Sequence, residues 1–379
     1  MYTFDERLER VYQRRNPWAT SAIGAGRTIA NKGFAIANES VAVFDKAVES
    51  VSSVERMVLE AMLPVDSECV KKSLDAGEKV KEHLKNAFAQ KSLNVPEFKY
   101  QGSVIANTQI KGASDIDLLV INRASFGWDS TGVRKALDEE KTHIPMSSKG
   151  VKLQQLLDTP SYAGDAVKDI KDQRLVCEEC LKSIYSDCNI TKGKSIQILH
   201  KTYDQKVDVV NCTWYDNVES VIHDKQEPYR GIRIFDKRTD WWMRDDYPFK
   251  KIHLMNVRDR DTDGRFKGLI RLLKTIKVDV EECAGLSSFD IYSIVYAMPT
   301  GVYPKLAGRD LVYEVTRYIS TIASNRSLAD NILQLDCTES VFKNNEQKFK
   351  SLQALEKDLS GICIELRKVV PYRSTRVYM

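Results

Sequence analysis

The sequence predicts an α+β fold, with a small sheet-bearing unit followed by a helical C-terminal half. Three observations predict it. Strand-like runs fall in the middle of the chain, at 115–121, 195–201 and 206–213. Helical spacing of apolar residues precedes and separates those runs. From about Asn256 onward the spacing is helical almost throughout.

Taken in order, residues 1–65 read as a helical extension. Leu8, Val11 and Tyr12 have helical spacing, and Pro17 breaks their run. Residues 22–38 are rich in Gly and Ala, but Gly24 and Gly26 lack the third glycine of a dinucleotide fingerprint and follow no strand. Close helix packing or a loop is the simpler account. A second helix is expected over about 66–90, where Val70, Leu74, Val80, Leu84 and Phe88 form an apolar stripe. Pro96 closes that region. Residues 66–220 form the expected core, with the three strands and an amphipathic helix near 165–186. Residues 221–379 form the expected C-terminal helical domain, with helices at 261–278, 288–298, 308–324 and 345–369.

Bulk composition narrows the function. The 379 residues suffice for two domains. Hydrophobic residues at 42% and charged residues at 29% are ordinary for a soluble chain. A net charge of +4 is too balanced for a dedicated nucleic-acid binder, so no nucleic-acid partner is expected. It still permits a locally basic cleft for a polyphosphate. No run of about 18 apolar residues occurs, so no membrane span is expected. The N-terminus carries acids early and has no apolar h-region, unlike a secretory signal.

Eight dispersed cysteines read as reduced thiols of a cytoplasmic protein. Cys177, Cys180 and Cys188 lack a second Cys-x-x-Cys, and the nearest downstream histidine is His200. Cys177 and Cys180 also sit where apolar helix residues would, beside Val176, Leu181 and Ile184. Core cysteines are therefore preferred over a zinc site. Trp241 and Trp242 are read as buried aromatics ahead of a partner surface.

The chemistry concentrates in YQGSVIANTQIKGASDIDLLVI. Asp115 and Asp117 stand two apart in an apolar run, so in a strand they share a face while Ile116 and Leu118 share the other. Neighbouring carboxylates repel unless something neutralises them. A divalent magnesium ion, with its hard oxygen preference and room for phosphates, would do so. Asp208, between Val207 and Val209, is either a third such acid or a solvated Asp on an edge strand. Gly102 and Ser103 precede the pair by eleven residues beyond Ser103. Glycine lets backbone N–H groups approach a phosphate, and serine adds a hydroxyl donor.

This pattern resembles the signature of the polymerase-β-like nucleotidyltransferases: Gly-Ser, a spacer, Asp-x-Asp, and a third acid on a later strand. The resemblance implies a nucleotidyltransferase core, a mixed twisted sheet with helices, plus a C-terminal helical domain. It implies two Mg2+ ions, with Mn2+ as the substitute, and attack of a hydroxyl on the α-phosphate of a nucleoside triphosphate. Asp115 and Asp117 would bind both metals, and Asp208 the metal that activates the attacking hydroxyl.

The helix at 261–278 places Lys267, Arg271 and Lys274 on one stripe, opposite Phe266, Leu269, Ile270, Leu273 and Ile276. That stripe is either a solvated basic face or a row of cations facing a triphosphate. Ser287, Ser288 and Phe289 open the next helix, where serine can act as a cap. Together these segments resemble the helical half of the cyclic GMP-AMP synthase and oligoadenylate synthase group and of its bacterial relatives, the CD-NTases. The resemblance spans roughly 66–300. It implies that Lys267 and Ser288 hold the triphosphate, with Lys274 the rival lysine, and that Phe289 stacks on the base.

It further implies a synthase that joins ATP, GTP or pyrimidine triphosphates into a cyclic di- or trinucleotide second messenger. Such a messenger would act on a downstream effector in antiphage defence. The zinc ribbon of the animal DNA sensor is not visible, and the first 65 residues have no assigned counterpart. A template-independent RNA nucleotidyltransferase and a degenerate nucleotidyltransferase used as a binding module are the competing readings. Base, linkage and ring size are open at this level.

Overall fold

The computed structural model describes residues 2–15, 17, 52–112, 114–141, 147–305, 308–336 and 339–369. The Gly- and Ala-rich stretch at 22–38 lies outside them. The chain opens with helices α1 (Phe4–Arg15), α2 (Ser53–Met62) and α3 (Ser67–Gln90). Ser52 caps α2 by accepting from the Glu55 amide. Strands β1 (Glu97–Gln101) and β2 (Ile116–Trp128) follow.

Helices α4 (Ser130–Glu140), α5 (Ser148–Leu157) and α6 (Ala166–Ile184) then cross over to β3 (Cys188–Asn189), β4 (Ile196–His200) and β5 (Gln205–Asp216). A short α7 (Val218–Ile222), β6 (Gly231–Asp236) and β7 (Trp241–Trp242) complete this part. The remainder is helical: α8 (Pro248–Asp261), α9 (Arg265–Asp279), α10 (Ser288–Tyr296), α11 (Arg309–Ala323), α12 (Arg326–Asp330) and α13 (Glu346–Val369).

The strands form one mixed sheet in the order β1-β2-β5-β4-β3, with β6 on β5 and β7 on β6. Only the β2–β5 pair is parallel, joined by the helical crossover. Strand periodicity sorts the side chains. Ile116, Leu118, Val120, Val207 and Val209 face a core built with Val80, Leu84 and Phe88 of α3 and Cys177 and Leu181 of α6. Leu119, Ile121, Val210, Cys212 and Trp214 face the other way, onto Ile232 and Phe249. Both faces being covered explains why β5 is buried without a break from Val209 to Asp216.

Two compact units result. The sheet unit is Val70–Ala106 with Ala113–Leu254, and the helical unit is Met1–Cys69, Asn107–Gly112 and Met255–Met379. The boundaries expected at 65 and 220 follow chain order; the sheet unit runs past 220 because β6 pairs with β5 from Gly231 to Ile234. In the helical unit α9 is the central helix, packed by α2, α10 and α13. It is buried all round from Phe266 to Ile276.

Two further readings are refined. Cys177 is fully buried and Cys180 and Cys188 pack against the same core, so these thiols act as small apolar groups, and burial pushes the Cys177 thiol up. Trp241 is not buried but 60% exposed. On the two-residue edge strand β7 only Trp242 turns inward, against Phe235, and period two sends Trp241 outward. No helix among the described residues is long and apolar enough to cross a membrane.

Candidate active site

The site begins with register. Asp117 on β2 is the direct partner of Asp208 on β5, in the parallel pair. Residues in register on neighbouring strands carry side chains on one face about 4.8 Å apart. Both acids therefore stand side by side, on the face away from α3 and α6. Asp115 lies one residue before β2 begins and is exposed. Opposite Asp117 on β1 is Gln101, and opposite Asp208 on β4 is Gln197.

Asp208 is not the solvated edge residue that one sequence reading allowed, because β5 has partners on both sides. The Ser195 hydroxyl donates to its Oδ1 at 3.1 Å and the Gln197 amide donates to Oδ2 at 3.4 Å. The Lys192 ammonium stands 3.8 Å away. Asp117 is held differently. Burial first, then the charges of Asp208 and Asp115, push its carboxyl up to about 7. Deprotonating it beside two other acids is costly unless a cation joins them.

Gly102 follows β1 directly and adopts φ +89°, a left-handed conformation that favours glycine. A Cβ there would collide with Asp117 Oδ2. The Gly102 carbonyl accepts from the Ala106 amide at 3.1 Å, closing the turn that carries Ser103. Gly102→Ala is therefore expected to displace the Asp117 carboxylate. Turnover should fall roughly 100-fold, the scale of a 1 Å misplacement. Initial rates beside a thermal melt check this, and an unchanged rate would show that the contact plays no part.

The donor set suits a hard divalent cation, being carboxylate oxygens with one carboxyl raised by burial and by its neighbours' charge. Among the described residues, no three or more His, Cys, Asp or Glu side chains stand gathered as a ready-made cage. The element fixed by strand register is the Asp117–Asp208 pair, and Asp115 adds its charge to Asp117 from the position before β2.

The other expected residues lie in the helical unit. Lys267, Arg271 and Lys274 are buried, so the stripe is not a solvated face. The Lys267 ammonium donates to Asn256 Oδ1 at 2.6 Å, and burial lowers its pKa. Arg271 and Lys274 donate to main-chain carbonyls. Ser287, not Ser288, is the cap of α10: its hydroxyl accepts from the Asp290 amide, and Asp290 accepts from the Ser287 amide. Ser288 is thus the first helical residue and half-buried. Phe289 is 51% exposed, its ring edge-on to Tyr292 at 5.7 Å.

Sequence reasoning missed Lys192, Ser195 and Gln197 around Asp208. Alternation along Ser195-Ile-Gln197 was the available signal, but only strand register reveals which acid they serve.

Comparison with known proteins gives a consistent outcome. Residues 253–361 match the model of the cGAS/DncV-like nucleotidyltransferase C-terminal helical domain. A c-di-GMP synthase of a Lachnospiraceae bacterium is 33% identical over 368 residues, 96% of this chain and 99% of its own. A c-di-GMP synthase of Capnocytophaga granulosa is 38% identical over 317 residues, 83% of this chain and 88% of its own. Among solved structures, the STING-associated CdnE c-di-GMP synthase from Flavobacteriaceae sp. superposes with a TM-score of 0.81 at 28% identity, covering 97% of this chain and 99% of its own.

Proposed function

The chain belongs to the CD-NTases, the cGAS/DncV-like nucleotidyltransferases, and we propose that the cyclic dinucleotide it synthesises is c-di-GMP, built from two molecules of GTP. The family makes cyclic dinucleotides from nucleoside triphosphates and uses divalent metal ions. The choice of guanine rests on the products in the names of two relatives that match 96% and 83% of this chain. A STING-type receptor for the product is supported by the STING association in the name of the CdnE relative, and antiphage signalling of the CBASS type is proposed on the family resemblance.

The observation that carries the chemistry is the Asp117–Asp208 pair, adjacent in register on one sheet face. Two Mg2+ ions, or Mn2+ in their place, held by Asp115, Asp117 and Asp208, would activate the attacking hydroxyl and stabilise the leaving pyrophosphate. Each bond joins a ribose hydroxyl of one nucleotide to the α-phosphate of the other and releases pyrophosphate; two such steps close the ring. The protein's own part is positional. Ser195 and Gln197 orient Asp208. Gly102 leaves space for the Asp117 carboxylate and carries Ser103 toward the phosphates. Triphosphate contact by Lys267 and Ser288, and base stacking by Phe289, are proposed on the family resemblance.

A product assay tests the reading. Purified protein is incubated with each labelled ribonucleotide triphosphate and with mixtures, in Mg2+ or Mn2+, then treated with phosphatase. A resistant product from GTP alone that comigrates with c-di-GMP is expected. A product requiring ATP or a pyrimidine triphosphate would overturn the assignment of c-di-GMP. A ladder formed only on added RNA would overturn the cyclase reading altogether.

A further inference from the structure

Between the Gly102–Ser103 turn and Asp115, the chain runs through residues 107–112, which belong to the helical unit. That segment is held there by its main chain. The Lys274 ammonium donates to the Thr108 carbonyl at 2.7 Å. The Arg271 guanidinium donates to the Asn107 carbonyl at 2.7 Å and to the Met62 carbonyl at 2.8 Å. Asn107 itself is left-handed, at φ +52°. The Thr108 hydroxyl lies 2.9 Å from the Tyr292 hydroxyl. At the far end the Gly112 amide donates to the Arg14 carbonyl at 2.7 Å. A Cβ on Gly112 would lie 2.6 Å from the Arg15 carbonyl oxygen and 2.7 Å from Pro17 Cδ.

A buried ammonium is stable only where its hydrogen bonds are satisfied. Lys274 and Arg271 meet that need with fixed carbonyl oxygens of a loop. Burial also lowers Lys274 to about 8, consistent with a group committed to the interior. A carbonyl held by a buried charged donor is held firmly, because charge-assisted bonds are short and strong.

We propose that Lys274 and Arg271 are positioning residues that, together with Gly112, fix the path of residues 107–112 and thereby set where the metal-binding Asp115 stands at the entry to β2. The proposal rests on the reading of Asp115, Asp117 and Asp208 as metal ligands. It gives Lys274 a role other than triphosphate binding. It also gives the N-terminal helix α1 a part in the chemistry, because the Arg14 carbonyl anchors the loop three residues before Asp115.

The test compares Lys274→Met, Lys274→Arg and Gly112→Ala with the parent for kcat, KM for GTP, the Mg2+ concentration at half-maximal rate, and thermal melting. Lys274→Met and Gly112→Ala are expected to lower kcat roughly 100-fold, as for a small misplacement of reacting groups. They should raise the Mg2+ requirement and leave KM for GTP within about twofold, the signature of an effect confined to the transition state. Lys274→Arg, which keeps a buried charged donor, should recover most of the rate. A raised KM with kcat intact in Lys274→Met would make Lys274 a triphosphate ligand and overturn the proposal. Parent-like kinetics in both Lys274→Met and Gly112→Ala would overturn it as well. Should Lys274→Met fail to fold, Gly112→Ala decides by the same readouts. Asp117→Asn, run in parallel, separates the two levels: turnover there would remove the metal-site reading itself, whereas an inactive Asp117→Asn beside parent-like Lys274 and Gly112 variants would refute the clamp alone.

Discussion

Asp117→Asn is expected to abolish cyclic dinucleotide synthesis and, in the metal-free protein, to raise the melting temperature by an amount that grows from pH 4 to pH 8. Both effects have one origin. In the folded chain the Asp117 carboxyl is raised from an ordinary 3.8 to about 7 by burial, Asp208 and Asp115. Below about pH 4 it is protonated whether folded or unfolded, and costs nothing. Between about 4 and 7 the unfolded chain releases the proton while the folded chain keeps it, so stability falls as pH rises. Above 7 the penalty is complete. At roughly 1.4 kcal/mol per pKa unit it reaches about 4 kcal/mol as an upper bound. Asparagine cannot ionise, so the penalty disappears.

A divalent ion reverses the sign, since it needs the carboxylate and repays the repulsion. Apparent metal affinity should therefore fall about tenfold per pH unit below pH 7 and level off above it. Loss of the ligand should lower turnover at least a thousandfold, on the order of 4 kcal/mol of barrier. Melts in chelator at pH 4, 6 and 8, with rates at saturating Mg2+, make the measurement. A melting-temperature difference independent of pH, or surviving turnover, would break the link between burial and function.

The sequence made the acids legible because their pattern is local. A lone acid inside an apolar strand is conspicuous, and the period of two puts Asp117 and Asp208 each on a definite face. What it could not supply is that the two strands are neighbours, parallel, and aligned residue for residue. Register is a property of two segments some ninety residues apart in sequence. The same limit hid β1, whose five residues are all half-buried and show no alternation, and β6, which completes the sheet beyond the expected boundary. Helices α4 and α5 were missed because each buries only a few apolar positions, in a small satellite cluster with Val221.

The cationic stripe of α9 shows a different limit. Spacing correctly placed Lys267, Arg271 and Lys274 along one line of the helix. It could not say what they meet, because Arg271 and Lys274 meet backbone carbonyls at Met62, Asn107 and Thr108, which no side-chain pattern records. A buried helix with charges on it looks, in sequence, like an amphipathic helix at a surface.

Asp279→Ala is expected to produce the largest loss of stability in the helical unit. Asp279 ends α9 with its side chain 1% exposed, and three arginines of α1 converge on it: Arg14 at 2.6 Å, Arg10 at 3.0 Å and Arg7 at 3.9 Å. Arg7 also holds Asp358 of α13 through two hydrogen bonds. Removing one member of a buried ion pair leaves uncompensated charge, typically costing about 3–5 kcal/mol. Here the half-buried Arg14 loses its carboxylate, whereas Arg10 can turn to water and Arg7 keeps Asp358. The cost should therefore fall on α1, visible as faster hydrogen exchange over 4–15 as well as a lower denaturation midpoint in urea.

The consequence reaches further than stability. The Arg14 carbonyl is the acceptor for the Gly112 amide, so releasing α1 loosens the loop before Asp115. Asp279→Ala should then lower kcat at temperatures where the chain is still folded, with KM for GTP unchanged. A stability loss below about 1 kcal/mol would place Asp279 among weakly coupled ion pairs. Full activity together with fast exchange in α1 would show that the loop keeps its path without that helix.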